Sequence, residues 1–239
     1  MSIKAKIAAG AATFAVVGGG LGMAGALTAS AATPPCSGDC VQLFSQKYGP
    51  QYVTDVYQAK AKAGQPVILF QASNSDPAED FSLAFLGTVH SFYRNHGLVS
   101  AQFDHTYGGD QTVEIQYAPY GLDSNFCLST LSGVVPQPGS KVMLEPCGQY
   151  ANSLFAADIN NGVRDHRSVL GFDVPLINGA TTSFSNPVVL NYPAGNPTDM
   201  PRPQLNVQPE KSYSGGTTFD NQEWGVQGSP VHGTPPPPP

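Results

Sequence analysis

The stretch that decides the fold is Cys127-Leu128-Ser129-Thr130, a turn at Pro138-Gly139-Ser140, and then Val142-Met143-Leu144-Glu145-Pro146-Cys147-Gly148-Gln149-Tyr150-Ala151-Asn152-Ser153-Leu154-Phe155. Short apolar runs bounded by Gly, Pro, Asn and Ser are the signature of strands joined by tight turns. The same plan lies on either side of it. Upstream run Val53-Thr54-Asp55-Val56, a Gly64-Gln65-Pro66 turn, Val67-Ile68-Leu69-Phe70 and Ala78-Glu79-Asp80-Phe81. Downstream run Phe172-Asp173-Val174, Ser185-Asn186-Pro187, Val188-Val189-Leu190-Asn191-Tyr192 and, after a long insertion, Asn221-Gln222-Glu223-Trp224. A unit that recurs three times defines the architecture before any single strand does.

In this alignment Phe70, Glu145 and Tyr192 correspond, and lie 75 and 47 residues apart. The larger interval implies an insertion of roughly thirty residues, within 86–111. Further runs, Val41 to Phe44, Tyr52 to Tyr57 and Val113 to Tyr117, read as strands, the last alternating cleanly between apolar and polar faces. Helical periodicity is scarce, with one helical turn expected at 59–63. Phe92, Tyr93, Phe103, His105 and Tyr107 in the insertion suit either a small core of its own or a protein-facing surface.

The N-terminus reads as an address. Lys4 and Lys6 precede an uncharged stretch over 7–27, and Ala29-Ser30-Ala31 supplies the small-x-small cleavage pattern, so residues 1–31 are expected to be a secretory signal peptide. No other run is long enough to cross a bilayer. Cleavage would leave 9 basic residues against 17 acidic, a net charge of −8. Such a chain has no electrostatic reason to seek nucleic acid or anionic lipid. Few charges, with 26 Gly and 22 Pro, fit a turn-rich extracellular β protein. The end of the chain, 229–239, closes on five prolines and is expected to be a disordered or polyproline II tail. Four cysteines in an exported chain should pair, and three pairings are possible. The local one, Cys36–Cys40 and Cys127–Cys147, is favoured.

The 127–155 stretch resembles the ricin-type β-trefoil repeat, C-x-D…Q-L-W-P-C…N-Q-x-W, whose two cysteines are bonded within the repeat. Asn221-Gln222-Glu223-Trp224 is similar to its closing N-Q-x-W. The resemblance covers about 41–228 and extends to secreted actinobacterial proteins of this architecture. It implies an all-β fold, a β-trefoil of three repeats with insertions over 33–228. It also implies sugar sites in which an Asp and an Asn-Gln pair hold hydroxyls while an aromatic ring stacks on the pyranose.

Carried over residue by residue, repeat three keeps Asp173, Tyr192, Asn221 and Gln222, with Trp224 in the core. Repeat one keeps Asp55 and Phe70 but has Glu79-Asp80 where Asn-Gln would fall. Repeat two, with Ser129 and Glu145, reads as structural. The expected protein is a secreted lectin-like trefoil that binds an extracellular carbohydrate or polysaccharide through repeat three and needs no cofactor. The competing expectation is a trefoil that binds an extracellular protein, as an inhibitor does, or is purely structural.

Catalysis is not expected. His90, His96, His105, His166 and His232 form no metal-ligand spacing, no CxxC or G-x-S-x-G is present, and acids adjacent in sequence, such as Glu79-Asp80, rarely face each other across a glycosidic bond. The pairs Asp104-His105 and Asp165-His166 read as solvated loop residues.

Overall fold

The computed structural model describes residues 40–73, 75–193, 195–199, 202–211 and 220–229. The expected signal peptide over 1–31, Cys36, and all of the proline-rich tail but Ser229 lie outside them. In chain order the strands of repeat one are β1 (Val41–Ser45), β2 (Tyr52–Val56), β3 (Val67–Gln71) and β4 (Phe81–Thr88). Two helices follow, α1 (Val89–His96) and α2 (Ala101–Tyr107). Repeat two is β5 (Gln111–Tyr117), β6 (Phe126–Ser129), β7 (Met143–Pro146) and β8 (Leu154–Ala157). After the short β9 (Val163–Arg164), repeat three is β10 (Phe172–Asn178), β11 (Val188–Asn191), β12 (Asn206–Pro209) and β13 (Glu223–Gly228).

Strands β1, β4, β5, β8, β10 and β13 pair antiparallel in a closed ring, each with its two neighbours. Closure leaves no barrel edge unpaired. The hairpins β2–β3, β6–β7 and β11–β12 stand outside the ring and meet at one end. There the Val67 amide donates to the Val142 carbonyl (3.3 Å), Val142 to Leu205 (2.9 Å) and Leu205 back to Val67 (2.9 Å). A six-stranded barrel with three hairpins joined about a threefold axis is a β-trefoil.

That ring of hydrogen bonds fixes which residues are equivalent. Val67, Val142 and Leu205 share one position, and Leu69, Leu144 and Val207, two residues on, share another; all six are buried in the main core. Phe81, Phe155 and Trp224 fill the same core from the start of each fourth strand, and the Trp224 indole donates to the Leu190 carbonyl (3.0 Å). The Cys127–Cys147 disulfide ties the second and third strands of repeat two, with Cα atoms 5.1 Å apart. Cys40 is disulfide-bonded too, and its expected partner lies outside the described residues.

Two expectations are corrected. The insertion is helical: Thr88 and Ser100 cap α1 and α2, their hydroxyls accepting the Ser91 and Phe103 amides, and Gly97 ends α1 in the left-handed conformation. Val89, Phe92, Val99 and Phe103 pack on Leu154, Ala156, Ile177 and Val189, a second core against the outer face of the barrel. Each helix is only about two turns long, too short for periodicity to show, although both caps stand in the sequence.

The second correction concerns repeat three. Phe172-Asp173-Val174 belongs to barrel strand β10, not to the hairpin, and Val188–Asn191 is the hairpin's second strand rather than its third. The true third strand is Asn206–Pro209. Positions 70, 145 and 208 therefore correspond, and Tyr192 is equivalent to Val56.

Candidate functional site

In each repeat the hairpin register brings two site positions to one face. Asp55 lies opposite Ile68, and Phe70 is two residues farther along, so both point the same way. The equivalents of Asp55 are Ser129, opposite Met143, and Asn191, opposite Asn206. The loop into the fourth strand then adds Ala78, Asn152 or Asn221.

Repeat three places three asparagines in one hydrogen-bonded chain. Asn221 Nδ2 donates to Asn191 Oδ1 (2.9 Å) and to the Tyr192 carbonyl (2.9 Å), and Asn191 Nδ2 donates to Asn206 Oδ1 (2.7 Å). Asn191 and Asn206 are buried and Asn221 is half-buried. Each amide carries two donors and an acceptor. The Asn206 Nδ2 donors and the Asn221 Oδ1 acceptor make no hydrogen bond among the described residues. Asn221 was expected here; Asn191 and Asn206 were missed because the alignment of repeat three was displaced by one strand.

The other expected residues of repeat three go elsewhere. Asp173 is fully buried in the barrel wall, and Tyr192 is fully buried with its ring edge-on to Tyr48. The structure therefore does not bring Asp173 or Tyr192 into a site with Asn221, and neither presents a surface to a ligand. Gln222 is buried as well; its side chain accepts the Lys211 amide (2.9 Å) and donates to the Pro209 carbonyl (2.9 Å). It anchors the chain after β12. Gln208 occupies the place of the stacking ring.

Asp173 instead faces Asp165, whose carboxylate is gripped by Arg167 through Nε (2.8 Å) and Nη2 (2.5 Å). Burial and then the neighbouring Asp165 raise the Asp173 carboxyl to about 7, while Arg167 holds Asp165 well below the usual range.

Repeat one is acidic. Asp55 is only 5% exposed, and burial, followed by the Asp76 carboxylate, lifts it to about 7. Glu79 matches Gln222 in position and role: it accepts the Ser73 amide (2.9 Å) and the Gln42 side-chain amide (2.7 Å). Burial raises it to about 8 against the pull of the Ser73 amide, with Asp55, Asp76 and Asp80 adding to the rise. The Phe70 ring is half-buried, with the Arg202 guanidinium 3.6 Å from its centroid.

Repeat two has turned its loop asparagine to another task. Asn152 donates to Thr130 Oγ1 (2.9 Å) and to the Val134 carbonyl (2.8 Å), and accepts the Gly133 amide (3.1 Å). In the insertion, Asp104 pairs with His90 across the two helices (2.9 Å) rather than standing in a loop with His105. No group of three metal-ligating side chains converges among the described residues. No helix there is long and apolar enough to cross a membrane.

No family model matches the chain, and no curated protein matches it in sequence. Solved structures do. The designed threefold-symmetric protein ThreeFoil is 16% identical over 78% of this chain and 96% of its own, with a TM-score of 0.50, a likeness in fold alone. The Rhizoctonia solani agglutinin is 14% identical over 80% of this chain and 96% of its own, with a TM-score of 0.46. The SDF2-like protein of Arabidopsis thaliana is 10% identical over 80% and 92%, with a TM-score of 0.45. The last two are too distant to add weight.

Proposed function

We propose that this protein is a secreted, non-catalytic carbohydrate-binding trefoil that engages sugar hydroxyls through Asn191, Asn206 and Asn221 of repeat three. The observation that carries the reading is the asparagine chain itself, at the hairpin position where the ricin-type resemblance puts a sugar site. Neighbouring hydroxyls each donate and accept, so they need partners able to do both. Linked amides supply this, and their mutual hydrogen bonds hold them in place before the ligand arrives. Without a ring at Gln208 the contact is through polar groups, which suits the weak, repeated binding of a polysaccharide.

The test is a screen of the full chain against immobilised glycans and insoluble polysaccharides, followed by calorimetry on the best binder. Asn191→Ala and Asn221→Ala should each weaken binding at least tenfold. Unchanged affinity in both variants, or no binding across the screen, rejects the assignment.

A second reading rests on repeat two. Leu131 (53% exposed), Val134 (51%) and Val135 (45%) lie on the loop that Asn152 pins, and Tyr150 (45%) lies beside its Gly133. A fixed apolar loop is the kind of surface another extracellular protein recognises. Sugar binding that survives Leu131→Glu and Val134→Glu unchanged would keep the two readings separate.

A further inference from the structure

The threefold register sets apart one residue that no repeat pattern announced. The antiparallel bridge between Ile68 and Gln204 places position 202 opposite Phe70. The equivalent bridges, Pro66 to Met143 and Lys141 to Asn206, make Gly64 and Gly139 the counterparts of position 202, their amides bonded to the Leu144 and Val207 carbonyls. Both glycines adopt positive φ (+75° and +88°), and a Cβ on Gly64 would meet nothing within 4 Å. Two of the three hairpins therefore receive no side chain from this position. The third has Arg202.

Its guanidinium lies on the Phe70 ring, 3.6 Å from the centroid. On the same hairpin face Asp55 is 5% exposed and makes no hydrogen bond among the described residues. A planar cation can stack on an aromatic ring and at the same time neutralise a nearby carboxylate. Arg202 also acts on Asp55 at a distance, opposing the rise that burial and Asp76 impose on it. The Leu205 amide, bonded to the Val67 carbonyl, and the Gln204 side chain, bonded to the Val142 carbonyl, hold the chain just beyond Arg202 to the hairpins. The residue is carried to the ring by anchored backbone.

We propose that Arg202, delivered by repeat three, is an access-controlling residue that closes the Asp55–Phe70 pocket of repeat one to sugars. The inference rests on the carbohydrate-binding reading. A pyranose would lay its apolar face on the ring face that Arg202 covers and direct hydroxyls at the carboxyl that Arg202 offsets. It must displace the guanidinium to do either.

Calorimetric titration of the full chain with the methyl glycosides of galactose, glucose and mannose tests this in wild type, R202A, R202K, R202A/D55A and N191A. R202A should gain one additional site per molecule for at least one glycoside, or bind it at least tenfold more tightly. R202A/D55A should lose that gain, and R202K, which keeps charge without the planar stack, should fall between. An R202A variant with wild-type stoichiometry and affinity for all three glycosides overturns the proposal. A wild type that does not bind, beside an R202A that binds one equivalent removed by D55A, upholds the lid and rejects the repeat-three site. Wild-type binding abolished by N191A, with nothing added by R202A, does the reverse. Absence of binding in every variant overturns both. An unchanged melting temperature for R202A, whose side chain is not buried, shows that any gain comes from the pocket and not from a rearranged fold.

Discussion

Repeats one and three carry the same hairpin in the same register, yet one pocket is filled with carboxyl groups and the other with amides. Asp55 stands where repeat three has Asn191, Ile68 where it has Asn206, and Glu79 where it has Gln222. The backbone task is identical: Glu79 receives the Ser73 amide and Gln222 receives the Lys211 amide. What differs is the consequence of burial. An amide that finds partners is content in the interior, whereas a carboxyl is driven toward its protonated form. Repeat three thus holds a fixed polar cluster, and repeat one an acidic one with Arg202 over its ring. One backbone can hold either, because the hairpin bonds are main-chain bonds that do not depend on the side chains above them.

The largest expected effect lies in the wall behind the repeat-three site. Gly225 is equivalent to Ser82 and Ala156, positions that carry side chains in the other repeats. A Cβ at 225 would run into the Phe44 ring and the Asp173 carboxylate. Gly225→Ala should destabilise the fold by about 3 kcal/mol, as overpacking in a rigid core does. Thermal unfolding reads this as a drop of about 6 °C or more. Ser82→Ala should leave the midpoint nearly unchanged; equal losses at the two positions would mean that repeat three has no special wall.

Next in size is the amide chain. Asn191→Leu strips the Asn221 donor and the Asn206 acceptor of their shared partner and should cost about 2 kcal/mol, since buried polar groups would be left unmade. Chemical denaturation checks it. A stability equal to wild type would show that the asparagines exchange freely with water and are not preorganised.

The comparison is sharpened by pH. Asp55 at about 7 and Glu79 at about 8 lie above their unfolded values, as do Asp173 at about 7 and Asp110 at about 6. A carboxyl raised on folding holds a proton that the unfolded chain has released. Its contribution is therefore greatest below the unfolded value and is lost as pH rises through the folded one. Stability should fall between pH 5 and pH 8.5, by on the order of 2 kcal/mol and so about 4–8 °C. Asp55→Asn with Glu79→Gln, which give repeat one the amides of repeat three, should remove much of that slope. A melting temperature that rises with pH would contradict the acidic character assigned to repeat one.

Much of this was legible in the chain. The Cys127–Leu128–Ser129 and Val142–Cys147 segments pair as read, Trp224 is core, and Asp55 and Phe70 share a face. The strands and the cysteine pair follow from local facts, namely strand alternation, turn residues and two cysteines twenty residues apart, whereas Trp224 and the Asp55–Phe70 pair came from the ricin-type resemblance. The third repeat was misread by one strand for a reason that is also local. Phe172-Asp173-Val174 looks like Thr54-Asp55-Val56, and an apolar run ending in Tyr192 looks like one ending in Phe70, because the sequence pattern of a strand says that it is buried and not which partner buries it. Only the closing of the barrel made β10 a wall strand, put Tyr192 inside and brought Asn206 beside Asn191. Arg202 lay beyond any local pattern. Its place over Phe70 comes from a bridge between residues 136 positions apart, and such contacts are decided by the threefold packing of the hairpins.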